Sequence, residues 1–225
     1  MTSRWEAFRR GKLYDFAAGL PLILWFGYSA INLRPALSND ARALLETPDS
    51  LLANLRFFAL FTAMAFNLLL IYLIVVRTEP VRRAPGILPR LCGFAGTFLG
   101  VGILHLKPLE LSLFWQSVAA GLVFAGTLGS LIALAKLGKS FAIMPEARLL
   151  VTAGPYAWAR HPLYAMEIIT LIGTAIQFQQ PLAGLLALAV ILLQIARTIF
   201  EEQVLTEVYP EYAAYRTKVR RFGII

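Results

Sequence analysis

Six long apolar runs divide this sequence, and they constrain its fold more than any other feature. A bilayer core of about 30 Å needs about 20 mostly apolar residues in a helix. None of the runs alternates with the period of two that a half-buried strand requires. Only 15% of the 225 residues are charged, and the mean hydropathy is +0.67. The sequence therefore predicts an all-α integral membrane protein with about six transmembrane helices and the lipid bilayer as its partner. The predicted spans are about 13–33, 51–76, 90–106, 112–136, 163–178 and 181–200.

Basic residues collect at alternate ends of these runs. The chain has 21 Lys and Arg against 13 Asp and Glu, a net charge of +8. With six spans, all four basic clusters fall on one side, and the loop at 34–50 is poorer in basic residues. The positive-inside rule then predicts a multi-pass protein with both termini cytoplasmic. Because this charge is assigned to topology, no nucleic-acid partner is expected. The clusters are Arg4, Arg9, Arg10 and Lys12; Arg77, Arg82, Arg83 and Arg90; Lys136, Lys139, Arg148 and Arg160; and Arg216, Lys218, Arg220 and Arg221.

The domain organisation expected is one membrane domain over 1–225. Residues 1–136 form a four-span bundle, and 137–225 form the region with the last two spans and any chemistry. Only Gln179, Gln180 and Pro181 join those two spans, so they are antiparallel neighbours. After them, charged and apolar residues mix in the pattern of a C-terminal amphipathic cytoplasmic helix that closes the site, with a break at Pro210.

Polar and aromatic residues gather at two places on the predicted cytoplasmic side, 148–164 and 196–203. Gln194, Arg197 and Glu201 share one helix face, and ionisable groups at such a depth are costly enough to indicate a site. The alternatives are an ion pair at the membrane edge and an interfacial belt of aromatic rings. No metal is expected, because His105 and His161 lie on opposite predicted sides and Cys92 is the single cysteine.

The C-terminal third resembles the isoprenylcysteine carboxyl methyltransferase family, which belongs to a wider group that includes the phospholipid methyltransferases. The resemblance rests on "LLVTAGPYAWARHPLY", on "RTIFEE" about thirty residues later, and on "VYPEYAAYRTKV". It implies S-adenosyl-L-methionine as cofactor, bound on the cytoplasmic side without a Rossmann fold, and Arg197 as the catalytic, substrate-side arginine. The residues it assigns to the cofactor are Arg148, Leu149, Leu150, Val151, Tyr156, His161, Pro162, Leu163, Tyr164 and Glu201.

The chemistry of these residue types suits the implied roles. His161 and backbone N–H groups at a helix start suit a carboxylate, and Glu201 suits an ammonium group. Apart from His161, the motifs contain no obvious general base, which favours a lipophilic acceptor that is already nucleophilic, such as a carboxylate or thiolate. An amine acceptor would need a base, for which Glu167 and Glu202 are the candidates. One departure is Met166, where the family has glycine, and it puts a close backbone approach in question.

Three other functions remain open. A phospholipid amine N-methyltransferase is a second member of the same group. A membrane NADPH-dependent reductase of the sterol type carries a similar motif ending in glutamate, which Glu167 would match, but Leu163 and Met166 depart from it. A non-catalytic scaffold or lipid-binding protein is the third. Binding of S-adenosylmethionine, binding of NADPH, or neither separates these classes.

The topology makes the first testable prediction. Reporter fusions at residue 42 and at residue 84 are expected to report opposite sides of the membrane, with 84 cytoplasmic, because the basic clusters alternate with poorer loops. The same side for both would contradict six alternating spans.

Overall fold

The computed structural model describes residues 12–223, and the basic residues Arg4, Arg9 and Arg10 lie outside the described residues. Seven α-helices account for most of this range, which confirms the all-α prediction. Two more turns of helix continue α3 as a 3₁₀ segment, Leu99–His105. The helices are α1 Lys12–Glu46, α2 Leu51–Val76, α3 Leu88–Phe98, α4 Leu113–Leu137, α5 Pro162–Ile176, α6 Leu182–Val208 and α7 Tyr212–Lys218.

Among the residues that the structure describes, five helices are long and apolar enough to cross a membrane, so the fold is that of a multi-pass membrane protein. These are α1, α2, α3 with its 3₁₀ extension, α4 and α6. The fifth predicted span forms α5, which has 15 residues and is about 22 Å long, shorter than a bilayer core. It is short because the polar stretch before Pro162 is folded into a loop, so the helix begins well inside the ends of its neighbours.

Two predicted boundaries are wrong. Residues 34–46 are helical rather than a loop, since α1 continues through Pro21 and Pro35 to Glu46. At about 52 Å the helix is longer than a bilayer core, so its charged end at 34–46 extends beyond the length that a span needs. At the other end, α6 continues past residue 200 to Val208, so Arg197 and Glu201 stand on one uninterrupted helix. The chain then turns at Pro210, as predicted, and starts α7.

The packing order places α4 between α2 and α5, while α6 lies against α3 and α5. The α5–α6 hairpin confirms the expected antiparallel pair. Small residues allow the closest helix contacts. A β-carbon on Gly173 would lie 2.8 Å from the carbonyl oxygen of Ala119, and one on Gly129 would overlap Sδ of Met166. Met166 therefore packs against α4.

A two-stranded antiparallel ribbon, β1 Arg82–Arg83 and β2 Glu146–Ala147, joins the α2–α3 connection to the α4–α5 loop. Its strands are too short to give a periodic signal, so the sequence did not predict it. The ribbon fixes the start of the polar stretch 148–161 over the end of α6.

The close helix contact predicts a stability effect. Gly173→Ala is expected to lower the stability of the detergent-solubilised protein by about 1–3 kcal/mol, because the new methyl group meets backbone that cannot move aside. Gly121→Ala is the matched control on α4, since its nearest neighbour would be 3.8 Å away. Equal thermal unfolding midpoints for the two variants would contradict this packing.

Candidate functional site

The loop between α4 and α5 is shaped by local hydrogen bonds. Gly138 begins the loop with a φ of +54°, a conformation that side chains with a β-carbon rarely adopt. The Ser140 hydroxyl then donates to the carbonyl of Leu149 at 2.7 Å and accepts from its N–H at 3.2 Å. The Tyr209 hydroxyl donates to the carbonyl oxygen of Arg148. These contacts hold residues 148–151 as one wall of a depression above α5.

That depression is a polar cleft of about 680 Å³, including its solvent-filled mouth. It lies between the α4–α5 loop, the start of α5, the C-terminal half of α6 and α7. Nine of the ten side chains that the family resemblance assigns to a cofactor line it, namely Arg148, Leu149, Leu150, Val151, Tyr156, His161, Leu163, Tyr164 and Glu201. Pro162 does not, and instead occupies the first turn of α5.

An apolar cavity of about 1090 Å³, including the space at its open side, lies beside the polar cleft, deeper in the helix bundle. Phe26, Phe66 and Leu70 line one side of it, and the 3₁₀-extended α3 lines another. Polar groups enter it at one end, from Glu167, Gln194 and Arg197. The cleft and the cavity share Leu163 and Tyr164 as a common wall.

Three side chains form the polar part of this wall. The Tyr164 hydroxyl donates to Oε1 of Glu201. The guanidinium carbon of Arg197 lies 4.8 Å from the centre of the Tyr164 ring, and its Nε is 3.5 Å from Oε1 of Glu201. Arg197 also donates to the carbonyl of Ala142 at 3.0 Å. Glu201 faces the cleft and Arg197 faces the cavity, so the wall presents opposite charges to its two sides.

Glu202 organises the other side of α6. Its carboxylate is 3% exposed and receives hydrogen bonds from Arg160 at 3.0 Å and from Arg221 at 3.0 Å. Nε2 of His161 lies 3.2 Å from the same carboxylate, and Nδ1 lies 3.7 Å from Glu201. The His161 ring is therefore held between two glutamates, and its nitrogens already face carboxylate oxygens.

The C-terminal segment closes over the cleft, as the sequence predicted for the part up to Gly223; residues 224–225 lie outside the described residues. Backbone N–H groups of Arg160 and His161 donate to the carbonyls of Arg220 and Arg221, each at 2.9 Å. This short pairing brings α7 to the mouth of the cleft, where Tyr212 and Tyr215 line it.

Tyr212 and Arg160 line the cleft, although the sequence analysis did not assign them to the site. Tyr212 is 1% exposed, and its hydroxyl oxygen has no hydrogen-bond partner among the described residues. Burial raises the pKa of the Tyr212 hydroxyl above its usual range, and the negative charge of Glu202 raises it further, so the group stays a donor. Arg160 was noticed in the loop but not assigned to the site. The spacing of the motifs along the chain does not show that α7 folds back over the cleft.

Arg148 lines the cleft and also anchors the cleft wall. Its guanidinium is buried and donates to Oε1 of Glu146 through Nε at 3.0 Å and Nη2 at 2.6 Å. The side chain thus anchors the cleft wall to strand β2. Met166, the departure from the family pattern, lines neither the cleft nor the cavity.

Fold and site together define a multi-pass helical membrane protein with a polar cleft set against an apolar cavity. The family model for phospholipid methyltransferases matches residues 114–212, which is less than half of the chain and contains most of the cleft. The chain is also similar to two curated relatives. It is 30% identical over 110 residues to the nickel-cobalt-cadmium resistance protein NccN of Alcaligenes xylosoxydans xylosoxydans, covering 47% of this chain and 51% of that protein.

The second relative is the cobalt-zinc-cadmium resistance protein CzcN of Cupriavidus metallidurans. Identity is 31% over 102 residues, which are 43% of this chain and 47% of that protein. The chain therefore matches about half the length of either relative. Within residues 12–223, no group of three or more His, Cys, Asp or Glu side chains is arranged to hold a metal ion.

The Glu202 cluster predicts a second stability effect. Glu202→Gln is expected to cost about 3 kcal/mol, because two arginines and the C-terminal segment lose the carboxylate that neutralises them. Glu207→Gln is the control on the same helix. Its ion pair with Arg82 is about half exposed and is worth about 0–1 kcal/mol. Thermal unfolding, with limited proteolysis of the C-terminal segment, measures both. A Glu202→Gln protein as stable and as protease-resistant as Glu207→Gln would contradict the clamp.

Proposed function

We propose that this protein is a membrane methyltransferase that uses S-adenosyl-L-methionine and methylates a lipophilic acceptor. The observation that carries the proposal is the shared wall of Leu163 and Tyr164, with a polar cleft on one side and an apolar cavity on the other. A reaction between a charged, water-soluble donor and a membrane-dissolved acceptor needs such a pair of compartments. The match to the phospholipid methyltransferase model supports the same class.

The residues of the cleft fit the cofactor. Glu201 offers a carboxylate to the ammonium group of the methionyl part, and the buried Tyr212 hydroxyl offers a donor without a protein partner. Leu149, Leu150 and Val151 give an apolar surface for a purine ring. When bound, the cofactor supplies an electrophilic methyl group on a sulfonium sulfur.

The protein's own residues position and isolate the reactants rather than perform proton chemistry. Tyr164 fixes Glu201 toward the cleft, and Glu201 in turn lies beside Arg197. Arg197 faces the cavity, where its guanidinium can orient an anionic or polar acceptor. The His161 ring, held between Glu201 and Glu202, keeps the two glutamates apart.

The acceptor class follows from the cavity and from the family resemblance. The apolar lining suits a hydrocarbon chain, and Arg197 suits a carboxylate, the group methylated by the isoprenylcysteine carboxyl methyltransferases that the C-terminal motifs resemble. A phospholipid amine is the alternative within the same group, favoured by the family model that matches. The cleft would face the cytoplasm, with residues 137–225 as the catalytic region of a single membrane domain. The metal resistance named for the two relatives is not proposed here as metal binding.

Substitutions on α6 test the assignment of the two compartments. Glu201→Gln is expected to weaken S-adenosylmethionine binding about tenfold to a hundredfold, because one charge-assisted hydrogen bond is worth about 1.5–3 kcal/mol. Arg197→Ala is expected to leave that affinity within about threefold of wild type and to lower methyl transfer into the organic-soluble fraction of a membrane extract, because Arg197 faces the acceptor cavity.

Isothermal titration with S-adenosylmethionine and with NADPH measures binding, and radiolabelled methyl groups measure transfer. Glu207→Gln serves as the control, since that exposed carboxylate lies outside both compartments. Binding of NADPH without S-adenosylmethionine would replace the proposal with a reductase. Equal, small effects of both substitutions would remove Glu201 and Arg197 from the site.

A further inference from the structure

Glu167 and Gln194 form a polar pair inside the apolar cavity. The Gln194 side-chain amide donates to Oε2 of Glu167 at 2.7 Å, across the α5–α6 contact. Gln194 is 4% exposed, and its Oε1 is buried without a hydrogen-bond partner among the described residues. A buried amide oxygen left unsatisfied costs free energy, so a native structure that keeps one calls for an explanation.

The position of the pair relative to the wall is fixed by helix geometry. Glu167 follows Tyr164 by three residues on α5, and Gln194 precedes Arg197 by three residues on α6. The two helices are antiparallel, so both steps lead about one turn, or 5 Å, away from the wall and deeper into the bundle. The pair thus lies next to the place where the wall meets the cavity.

Glu167 differs from the other two carboxylates of this region. Glu202 is surrounded by arginines, and Glu201 is engaged by Tyr164 and Arg197. No Lys, Arg or His nitrogen of the described residues lies within the 4.0 Å of an ion pair from Glu167, and its hydrogen-bond partner is the neutral Gln194. It lines the cavity and not the cleft.

Gly96 of α3 lines the cavity, and a β-carbon there would lie 3.5 Å from Oε1 of Gln194. Gly96 thus packs directly against this amide oxygen, which has almost no accessible surface. Glu167 is the member of the pair that presents a hydrogen-bond acceptor to the ligand-sized space, and Gln194 holds it there.

We propose that Glu167, held in place by Gln194, is a specificity-determining residue that receives an N–H or O–H donor carried by the lipophilic acceptor. This inference rests on the proposed function and adds a requirement to it. The acceptor has a hydrogen-bond donor close to the atom that Arg197 orients, as an amide beside a carboxylate, a hydroxyl or an amine does. A simple fatty carboxylate meets Arg197 but leaves Glu167 unsatisfied, so it binds poorly.

Two probes of equal charge and chain length test the donor requirement. Decylamine carries N–H donors, whereas decyltrimethylammonium has none. Their dissociation constants are obtained from the ligand-dependent unfolding temperature of the full-length protein in detergent. Wild type is expected to prefer decylamine about tenfold, which corresponds to one hydrogen bond to a charged group. Glu167→Leu is expected to abolish that preference, and Gln194→Leu to reduce it about threefold or more.

Thr97→Val is the matched control in the same cavity, because the Thr97 hydroxyl already donates to the carbonyl of Gly93 at 2.8 Å. It is expected to keep the wild-type preference. The preference for decylamine could instead arise because the head group of decyltrimethylammonium is larger. The preference would then persist in Glu167→Leu, and that result would overturn the proposal. No preference in wild type would overturn it as well.

A cooperative unfolding transition without ligand shows that a variant is folded. If Glu167→Leu does not fold, the donor preference of Gln194→Leu is the test. S-adenosylmethionine titrated into the same wild-type preparation separates the two proposals. The protein could show a donor preference that depends on Glu167 and yet not bind S-adenosylmethionine. That result would refute the proposed methyltransferase function but support the proposed role of Glu167.

Discussion

A single buried carboxylate holds together the end of this protein that contains the cleft. Glu202 neutralises Arg160 from the loop before α5 and Arg221 from the C-terminal segment, and it contacts His161 at the start of α5. Three parts of the chain that are distant in sequence therefore meet at one turn of α6. Removing one member of such a buried ionic cluster leaves the others uncompensated. The cleft exists because this cluster pulls the loop and α7 over the end of the hairpin.

The hairpin explains why the cleft and the cavity adjoin. α5 is only 15 residues long and starts beside Glu202, short of the end of α6 at Val208, which leaves a recess that the loop and α7 cover. Apolar residues of α1, α2 and α3 surround the space beneath Tyr164. The polar cleft and the apolar cavity are thus separated by the wall of Leu163 and Tyr164, with Glu201 lining the cleft and Arg197 lining the cavity.

Much of this arrangement was predictable from the sequence, because hydropathy fixes spans and a three-residue connection fixes the hairpin. The motifs around His161 and Glu201 also marked residues that the fold gathers into one cleft. The length of α1 was not predictable, because proline usually interrupts a helix and this one contains Pro21 and Pro35. Nor were the roles of Arg148 and Tyr212, since ion pairing with Glu146 and the return of α7 depend on contacts between segments distant in the chain. In the sequence Glu167 is a single charge in an apolar run, and the sequence does not show that Gln194 lies opposite it.

The central claim is that the polar cleft is a cofactor site and the apolar cavity a separate site for a lipophilic acceptor. An experimental structure of the full-length protein with saturating S-adenosylhomocysteine tests it most directly. The account predicts the nucleoside between residues 149–151 and Tyr212, the amino group at Glu201, and the thioether sulfur facing the wall formed by Leu163 and Tyr164. A cleft that stays empty, or the nucleoside bound in the apolar cavity, would contradict it.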